Sequence, residues 1–355
     1  MGYPAVAVAL SGGIDSLVSG FLIKKQYPKV FGIHFTTGYE KKELSLKGLE
    51  DQLGFDIIRL DLSRLFEQQV VDYFVSTYLS GQTPNPCLIC NQKIKFGALL
   101  EEAGKQGADF LATGHYATVV NSASFPEKSI TYPWLEKGTD TLKDQSYFLA
   151  RLLPDQLDKI IFPLAPYTKQ KTIQIARDNG LVPLTAKDSQ DICFIHQRSF
   201  FDFIQEKTGI CPSPGEIKDI KGRVIGTHQG LHAFTVGQRR GINCPASEPY
   251  YVKAVDPLTN TLFVGFKKDL FENQMQVNQV LWNGPGIGSP PKQARVMTKI
   301  RYGHKAALSR LALDDTKPQN IWGRVLFDCP QTAVTPGQAA VFYDGDRVLG
   351  SGIIK

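Results

Sequence analysis

Residues 5–10 form an unbroken apolar run that stops at Ser11-Gly12-Gly13 and gives way to a helical pattern with Leu17, Val18, Phe21 and Leu22 on one face. Apolar sequence without alternation reads as a strand buried on both faces, and i, i+3, i+4 spacing reads as an amphipathic helix. The same texture continues through the first third. Residues 30–35 and 55–62 read as strands, 64–79 and 91–106 as amphipathic helices, and 110–113 as another short buried strand. Alternating strands and helices predict an α/β domain with a doubly wound parallel sheet, whose ligands bind beyond the carboxyl ends of the strands. The segments after Leu10, after Phe35 and at Gly114-His115-Tyr116 are therefore expected to converge on one crevice.

Residues 121–138 are irregular and read as a surface excursion; helical pattern resumes over 144–153, and again after Thr168, a good N-cap, until Gly180. Lys187-Asp188-Ser189-Gln190-Asp191 is a polar turn leading into Cys193-Phe194. Beyond residue 203 the pattern shortens. Residues 215–225, 232–238, 250–255 and 261–266 alternate like strands, with a hairpin through 256–260; 294–302, 322–328 and 339–343 do the same, the last ending at an Asp344-Gly345 turn. The predicted organisation is an α/β domain over 1–203, a small β-rich central domain over 204–276 and a C-terminal β-barrel over 277–355.

At 355 residues the chain exceeds one ordinary core, which agrees with several domains. No apolar window is long enough to span a bilayer, and the N-terminus enters a strand without a signal pattern, so a cytoplasmic protein with no membrane partner is expected. A net charge of +6 allows a polyanionic partner without requiring one. The six cysteines do not read as a disulfide framework in a reducing compartment. Cys211, Cys244 and Cys329 each precede a proline in the strand-rich half and read as buried or tolerated thiols.

Ser11-Gly12-Gly13-Ile14-Asp15-Ser16, between a buried strand and a helix, reads as a phosphate-binding loop: backbone N–H groups and the positive end of the helix dipole surround one anion. It lacks both the lysine of the G-x-x-x-x-G-K-[ST] loop and the spacing of G-x-G-x-x-G. Asp15 would repel a nucleotide unless it held a cation, which points to Mg²⁺ bridging to a triphosphate and away from a ligand-free turn.

Residues 81–86, with two prolines, deliver Cys87 and Cys90 to the start of the next helix, where the dipole is expected to lower the thiol pKa and make the pair reactive. A thioredoxin-like redox pair belongs to a smaller domain, and a zinc site finds no second C-x-x-C or H-x-x-x-H to complete it. Incidental burial accounts for one cysteine but explains two at this spacing, in a proline-constrained loop, poorly. Adding Cys193 gives a three-thiol site with two readings: ligands of an iron–sulfur cluster with one open iron, or a metal-free route through a persulfide and thiol–disulfide exchange.

The motif S-G-G-x-D-S resembles the PP-loop of the ATP pyrophosphatases. Together with T-P-N-P-C-x-x-C-N-x-x-I-K-F, A-T-G-H-Y-A, K-D-Q-S-Y-F-L and K-D-S-Q-D-I-C-F-I, in this order, it makes nearly the whole chain resemble the MnmA-type tRNA-specific 2-thiouridylases. The resemblance implies ATP-dependent 2-thiolation of the wobble uridine of tRNA, with release of AMP and pyrophosphate and with a sulfur-donor protein or sulfide as partner. It implies that Ala9, Leu10, Ser11, Gly12, Gly13, Ile14, Asp15 and Ser16 bind ATP, aided by Phe35 and Gly114. Cys90 would be the nucleophile, and Cys193 the persulfide carrier, able to form a disulfide with Cys90. His115, Lys143, Asp144, Gln145, Arg301, Tyr302 and Gln338 would contact tRNA.

Each of these RNA assignments has a plainer reading: His115 as a satisfied core imidazole, Lys143 and Asp144 as a solvated pair, Arg301 and Gln338 as barrel surface. Where many family members carry an aspartate, this chain has Cys87, which keeps the cluster route open alongside the persulfide route. Residues 36–54 are also shorter than the family's segment, and Leu17 stands where a second serine is frequent. Rival functions are a PP-loop ligase, a thiolase acting on another tRNA base, and a non-catalytic RNA-binding or sulfur-carrier protein.

Overall fold

The computed structural model describes residues 3–121, 132–185, 192–196, 198–285, 290–314 and 321–355. The polar turn expected at 187–191, and residues 122–131 of the irregular stretch, lie outside the described residues. The chain divides into two compact units, the first comprising Met1–Val70, Cys87–Phe194 and Asp346–Val348, the second Val71–Pro86, Ile195–Gly345 and Leu349–Lys355.

The first unit is built on β1 (Ala5–Ala9), β2 (Lys29–Thr36), β3 (Ile57–Asp61) and β4 (Phe110–Ala112), followed by a hairpin of β5 (Ala117–Val120) and β6 (Trp134–Lys137) and by β7 (Ile160–Ile161). The main sheet runs β3-β2-β1-β4-β7 with every pair parallel. β1 is central, and Val6, Ala7 and Val8 are fully buried, which is why it shows no alternation. The helix Ile14–Gln26 packs Leu17, Val18 and Ile23 into the same core and stops at Tyr27, whose extended backbone suits the residue before Pro28. Leu17 is a fully buried core residue.

Two predicted helices are interrupted. The 64–79 stretch comprises Ser63–Phe66, a π-helical turn Glu67–Val71 and Asp72–Leu79; the 91–106 stretch is a π-helix over Cys90–Ala98 continued by Leu99–Lys105. The wider turn beside the cysteines leaves carbonyls to satisfy, and Gln156 Nε2 donates to those of Gln92 (3.2 Å) and Phe96 (2.5 Å). The helix expected over 144–153 shrinks to Ser146–Leu149 because Pro154 follows closely and begins its own short helix. Thr168 caps the helix Lys169–Asp178 as expected, its side chain accepting from Lys171 N.

In the second unit β8 (Gly215–Asp219), β9 (Val224–His228), β10 (Tyr251–Asp256) and β11 (Thr261–Gly265) form a sheet in the order β10-β11-β8-β9. The single strand expected over 215–225 is two, because the Asp219 carboxylate collects the N–H groups of Lys221 and Arg223 and folds the chain back. Residues 232–238 are not a strand: Leu231–Ala233 is a 3₁₀ turn, and His232 stacks on Phe201. The remaining strands are β12 (Phe271–Trp282), β13 (Gln293–Lys299), β14 (Ala307–Asp314), β15 (Trp322–Thr332), β16 (Ala339–Asp344) and β17 (Arg347–Ile354). They run β12-β15-β14-β13-β16-β17 and close through β12–β17 into an antiparallel barrel filled by Val277, Val296, Leu311, Val325 and Phe342. The α/β domain with a parallel sheet, the β-rich module and the barrel are thus all present. No helix among the described residues is long and apolar enough to cross a membrane.

Candidate active site

At the carboxyl end of β1, Leu10 N donates to Ile33 O (2.8 Å) and the buried His34 donates from Nδ1 to Leu10 O (2.8 Å), locking the loop to β2, the strand that carries Phe35. Ser16 Oγ donates to Gly13 O (2.9 Å) and accepts from Ser11 N and Ser11 Oγ, both at 3.2 Å. The two serines therefore brace the loop. Gly13 is the N-cap of the following helix, and no side chain caps that first turn, which suits an anionic ligand. Gly12 O accepts from Leu184 N and Thr185 N. Gly114, just past β4, lies so close that a Cβ there would stand 2.8 Å from Asp15 C and 2.9 Å from Ser16 N. The convergence of the Leu10 loop and the Gly114 segment expected from the sequence is present, and only glycine permits it.

Asp15 does not face solvent alone. Lys169 Nζ donates to both of its carboxylate oxygens at 2.8 Å, and Tyr116 OH to Oδ1 at 2.7 Å. Tyr116 is itself fixed through its backbone: its N donates to Gln145 Oε1 (3.0 Å) and its O accepts from Gln145 N (2.8 Å). Asp144 is buried, accepting from Gly138 N, Ser146 N and Ser146 Oγ, and Lys143 N is held by Asp140. Asp144 is therefore not the solvated pair partner of Lys143 that its plainer reading offered but holds Gly138 and Ser146, while Gln145 supports Tyr116 and, through it, Asp15.

The three cysteines of interest are free thiols, Cys87 and Cys193 exposed and Cys90 partly so. Cys193 is set by Phe194, which is buried edge-on against Tyr39 and Phe66 at 5.8 Å from each. The expected lowering of the thiol pKa is not found. Burial pushes Cys90 up to about 12, partly offset by Lys95 and reinforced by Cys193 and Cys87. Burial, then the neighbouring Cys87, pushes Cys193 up to about 11, and burial raises Cys87. The expected helix start is present, Pro86–Ile89 running unbroken into Cys90–Ala98 and Leu99–Lys105, but burial outweighs the dipole at its N-terminal end. Their mutual influence shows the three to be neighbours, yet among the described residues no three His, Cys, Asp or Glu side chains are arranged to hold a metal ion.

His115 is buried between Phe96 and Phe162. Lys95 Nζ approaches its Nε2 at 3.4 Å, so Nδ1 carries the proton and donates to Thr113 Oγ1 at 2.7 Å. Burial, with Lys95 adding, holds its pKa well below the usual histidine value, and the ring is neutral at pH 7. Lys95, Tyr116 and Lys169 are the site residues that sequence reasoning missed. The first two lie inside quoted motifs, whereas Lys169 carried no signal beyond following the Thr168 cap.

In the second unit Arg301 and Tyr302 are exposed in the β13–β14 connection, with Lys299 Nζ over the Tyr302 ring at 5.3 Å. The half-buried Gln338 donates from Nε2 to Thr83 O (3.1 Å) and Pro84 O (2.8 Å), in the loop that leads to Cys87.

Residues 4–197 match the family profile described as tRNA methyl transferase HUP domain, 202–266 the tRNA methyl transferase PRC-barrel domain, and 272–354 the Aminomethyltransferase beta-barrel domain. Fold, loop and profile together define a HUP-class α/β protein with two appended β modules. The "tRNA-specific 2-thiouridylase MnmA" of Desulfosudis oleivorans is 48% identical over 99% of this chain and 95% of its own length. Proteins of the same name from Carboxydothermus hydrogenoformans (36% identical, 100% of this chain and 98% of theirs) and Moorella thermoacetica (38%, 98% and 98%) are similar over comparable spans. The chain belongs to the MnmA family of tRNA-specific 2-thiouridylases.

Proposed function

We propose that this protein is an ATP-dependent tRNA-uridine 2-sulfurtransferase acting in the cytoplasm. The observation that carries the reading is the presence, in one compact unit, of an uncapped nucleotide loop and a cluster of three thiols. ATP lies against residues 9–16, with Phe35 and Gly114 at its edge. Asp15 suits Mg²⁺, which keeps most of its waters and takes phosphate oxygens plus one or two carboxylates, once Lys169 gives way. A uracil carbonyl oxygen leaves poorly, so adenylation of the 2-oxygen of the wobble uridine, with release of pyrophosphate, turns it into a leaving group.

The sulfur steps fall to Cys193 and Cys90. A donor protein's persulfide passes its outer sulfur to the Cys193 thiolate, the donor's own sulfur–sulfur bond breaking and its thiolate leaving. The terminal sulfur on Cys193 forms the bond to C2 as the C2–O bond breaks and AMP departs. Cys90 then attacks Cys193 Sγ, breaking the sulfur–sulfur bond to the base; 2-thiouridine leaves and a Cys90–Cys193 disulfide remains for an external dithiol to reduce. With raised thiol pKa values, Cys90 becomes a thiolate only in this step, when nucleotide and RNA have rearranged its surroundings.

Cys87 as a third thiol favours a second reading, a cluster held by Cys87, Cys90 and Cys193, but the described thiols are not gathered as metal ligands and the persulfide route fits them better. Arg301 and Tyr302 offer a cation and an exposed ring to RNA. We assign His115, Lys143, Asp144 and Gln145 to the RNA-facing side of the nucleotide crevice, and Gln338 to the cysteine loop. The working domains are 1–203, 204–276 and 277–355, with the last boundary drawn back so that all of β12 belongs to the barrel. Purified protein given unmodified tRNA, Mg-ATP and a persulfide donor is expected to yield 2-thiouridine and pyrophosphate; absence of both, with and without oxygen, overturns the proposal.

A further inference from the structure

The nucleotide loop has no lysine of its own, and the structure supplies one from 154 positions along the chain. Lys169 Nζ sits 2.8 Å from each oxygen of Asp15, the second residue of the helix that the loop opens. Its ammonium is largely sheltered, with 13% of the side chain exposed against 30% for Asp15. Its position is set from two sides. Lys169 N donates to Asp140 Oδ2 at 2.8 Å, and Thr168 caps the helix that Lys169 begins, so the side chain springs from a fixed point. Tyr116 OH holds Asp15 Oδ1 from another direction.

The pair with Asp15 orders a side chain that is otherwise flexible. Next to a loop whose backbone donors face an anion, the same ammonium has a second set of partners within reach: phosphate oxygens. We infer that Lys169 is the phosphate-binding cation of this loop, paired with Asp15 before nucleotide enters and transferred to the triphosphate when it does, which frees Asp15 for the divalent cation. The exchange removes the repulsion that Asp15 would otherwise present to ATP without leaving either charge unpaired. It rests on the reading of this site as an ATP site.

The test is equilibrium binding of ATP to the full chain, with Mg²⁺ and with EDTA, for wild type, Lys169→Met, Lys169→Gln and Asp15→Asn. Loss of a charge-assisted contact to phosphate is expected to weaken Mg-ATP binding about 10- to 100-fold in both lysine variants. Asp15→Asn is expected to bind ATP several-fold more tightly than wild type in EDTA, because Lys169 is then released to the phosphates, and more weakly in Mg²⁺. Wild-type binding with unchanged affinity in both lysine variants overturns the inference alone. Equal ATP affinity of Asp15→Asn and wild type in EDTA does the same. Failure of the wild type to bind ATP overturns the inference and the ATP reading together.

Discussion

Replacing Gln338 by leucine keeps bulk at the position and deletes two hydrogen bonds, those from Nε2 to Thr83 O and Pro84 O. The same barrel turn holds the loop in two further ways. Thr83 N donates to Pro336 O (2.8 Å), and Gly337, at φ +88°, packs so closely that a Cβ would stand 2.7 Å from Thr83 O. Two neutral hydrogen bonds to partly buried carbonyls contribute about 1–3 kcal/mol in total. Because the remaining contacts persist, the loss is expected as local opening of residues 81–86, which run straight into Cys87 and Cys90. At 1.4 kcal/mol per tenfold, amide exchange across that segment should quicken by about 5- to 150-fold. Melting temperature should fall by only a few degrees, and the thiolation rate should drop while tRNA affinity holds. Unaltered exchange at 81–90 combined with weakened tRNA binding would refute the reasoning and put the Gln338 amide on RNA.

Two other outcomes follow from the geometry. Alkylation of Cys90 and Cys193 in the free protein should climb with pH through 10 without a plateau, since both thiols are raised, to about 12 and about 11; a plateau near neutrality contradicts the desolvated site. The linkage has the matching sign: an unfolded thiol ionises first, so the stability these groups contribute is present below the ordinary cysteine range and is lost as pH rises through their folded values. For the barrel, Tyr302→Ala should weaken tRNA binding by about 5- to 150-fold through lost stacking, and Arg301→Ala should lower the salt dependence of binding by about one ion; both are read from affinities at several salt concentrations.

What was legible in the sequence is what local rules decide. The apolar run into Ser11-Gly12-Gly13, the Thr168 cap and the Asp344-Gly345 turn each depend on a few adjacent residues, and the structure has all three. β12 was illegible beyond its end because its polar residues outnumber Met275, Val277, Val280 and Trp282, which point inward, and a register shift between Asn278 and Leu281 breaks the alternation. The π-helix at Cys90 escaped because the α and π repeats differ too little over nine residues to separate by pattern. The thiol pKa values were misjudged from the position of Cys87 and Cys90 near a helix start, whereas crowding by the tertiary fold decides them. Lys169 meets Asp15 only through the winding of the sheet, and no spacing rule reaches across 154 positions.

The central claim is that ATP is spent on the uracil 2-oxygen so that sulfur can take its place. The direct measurement is a single-turnover reaction on tRNA labelled with ¹⁸O at the 2-carbonyl of the wobble uridine, with mass analysis of the released AMP. The account predicts one ¹⁸O atom in the AMP phosphate for each 2-thiouridine formed. Formation of 2-thiouridine with unlabelled AMP, the label passing to water or inorganic phosphate, would contradict it.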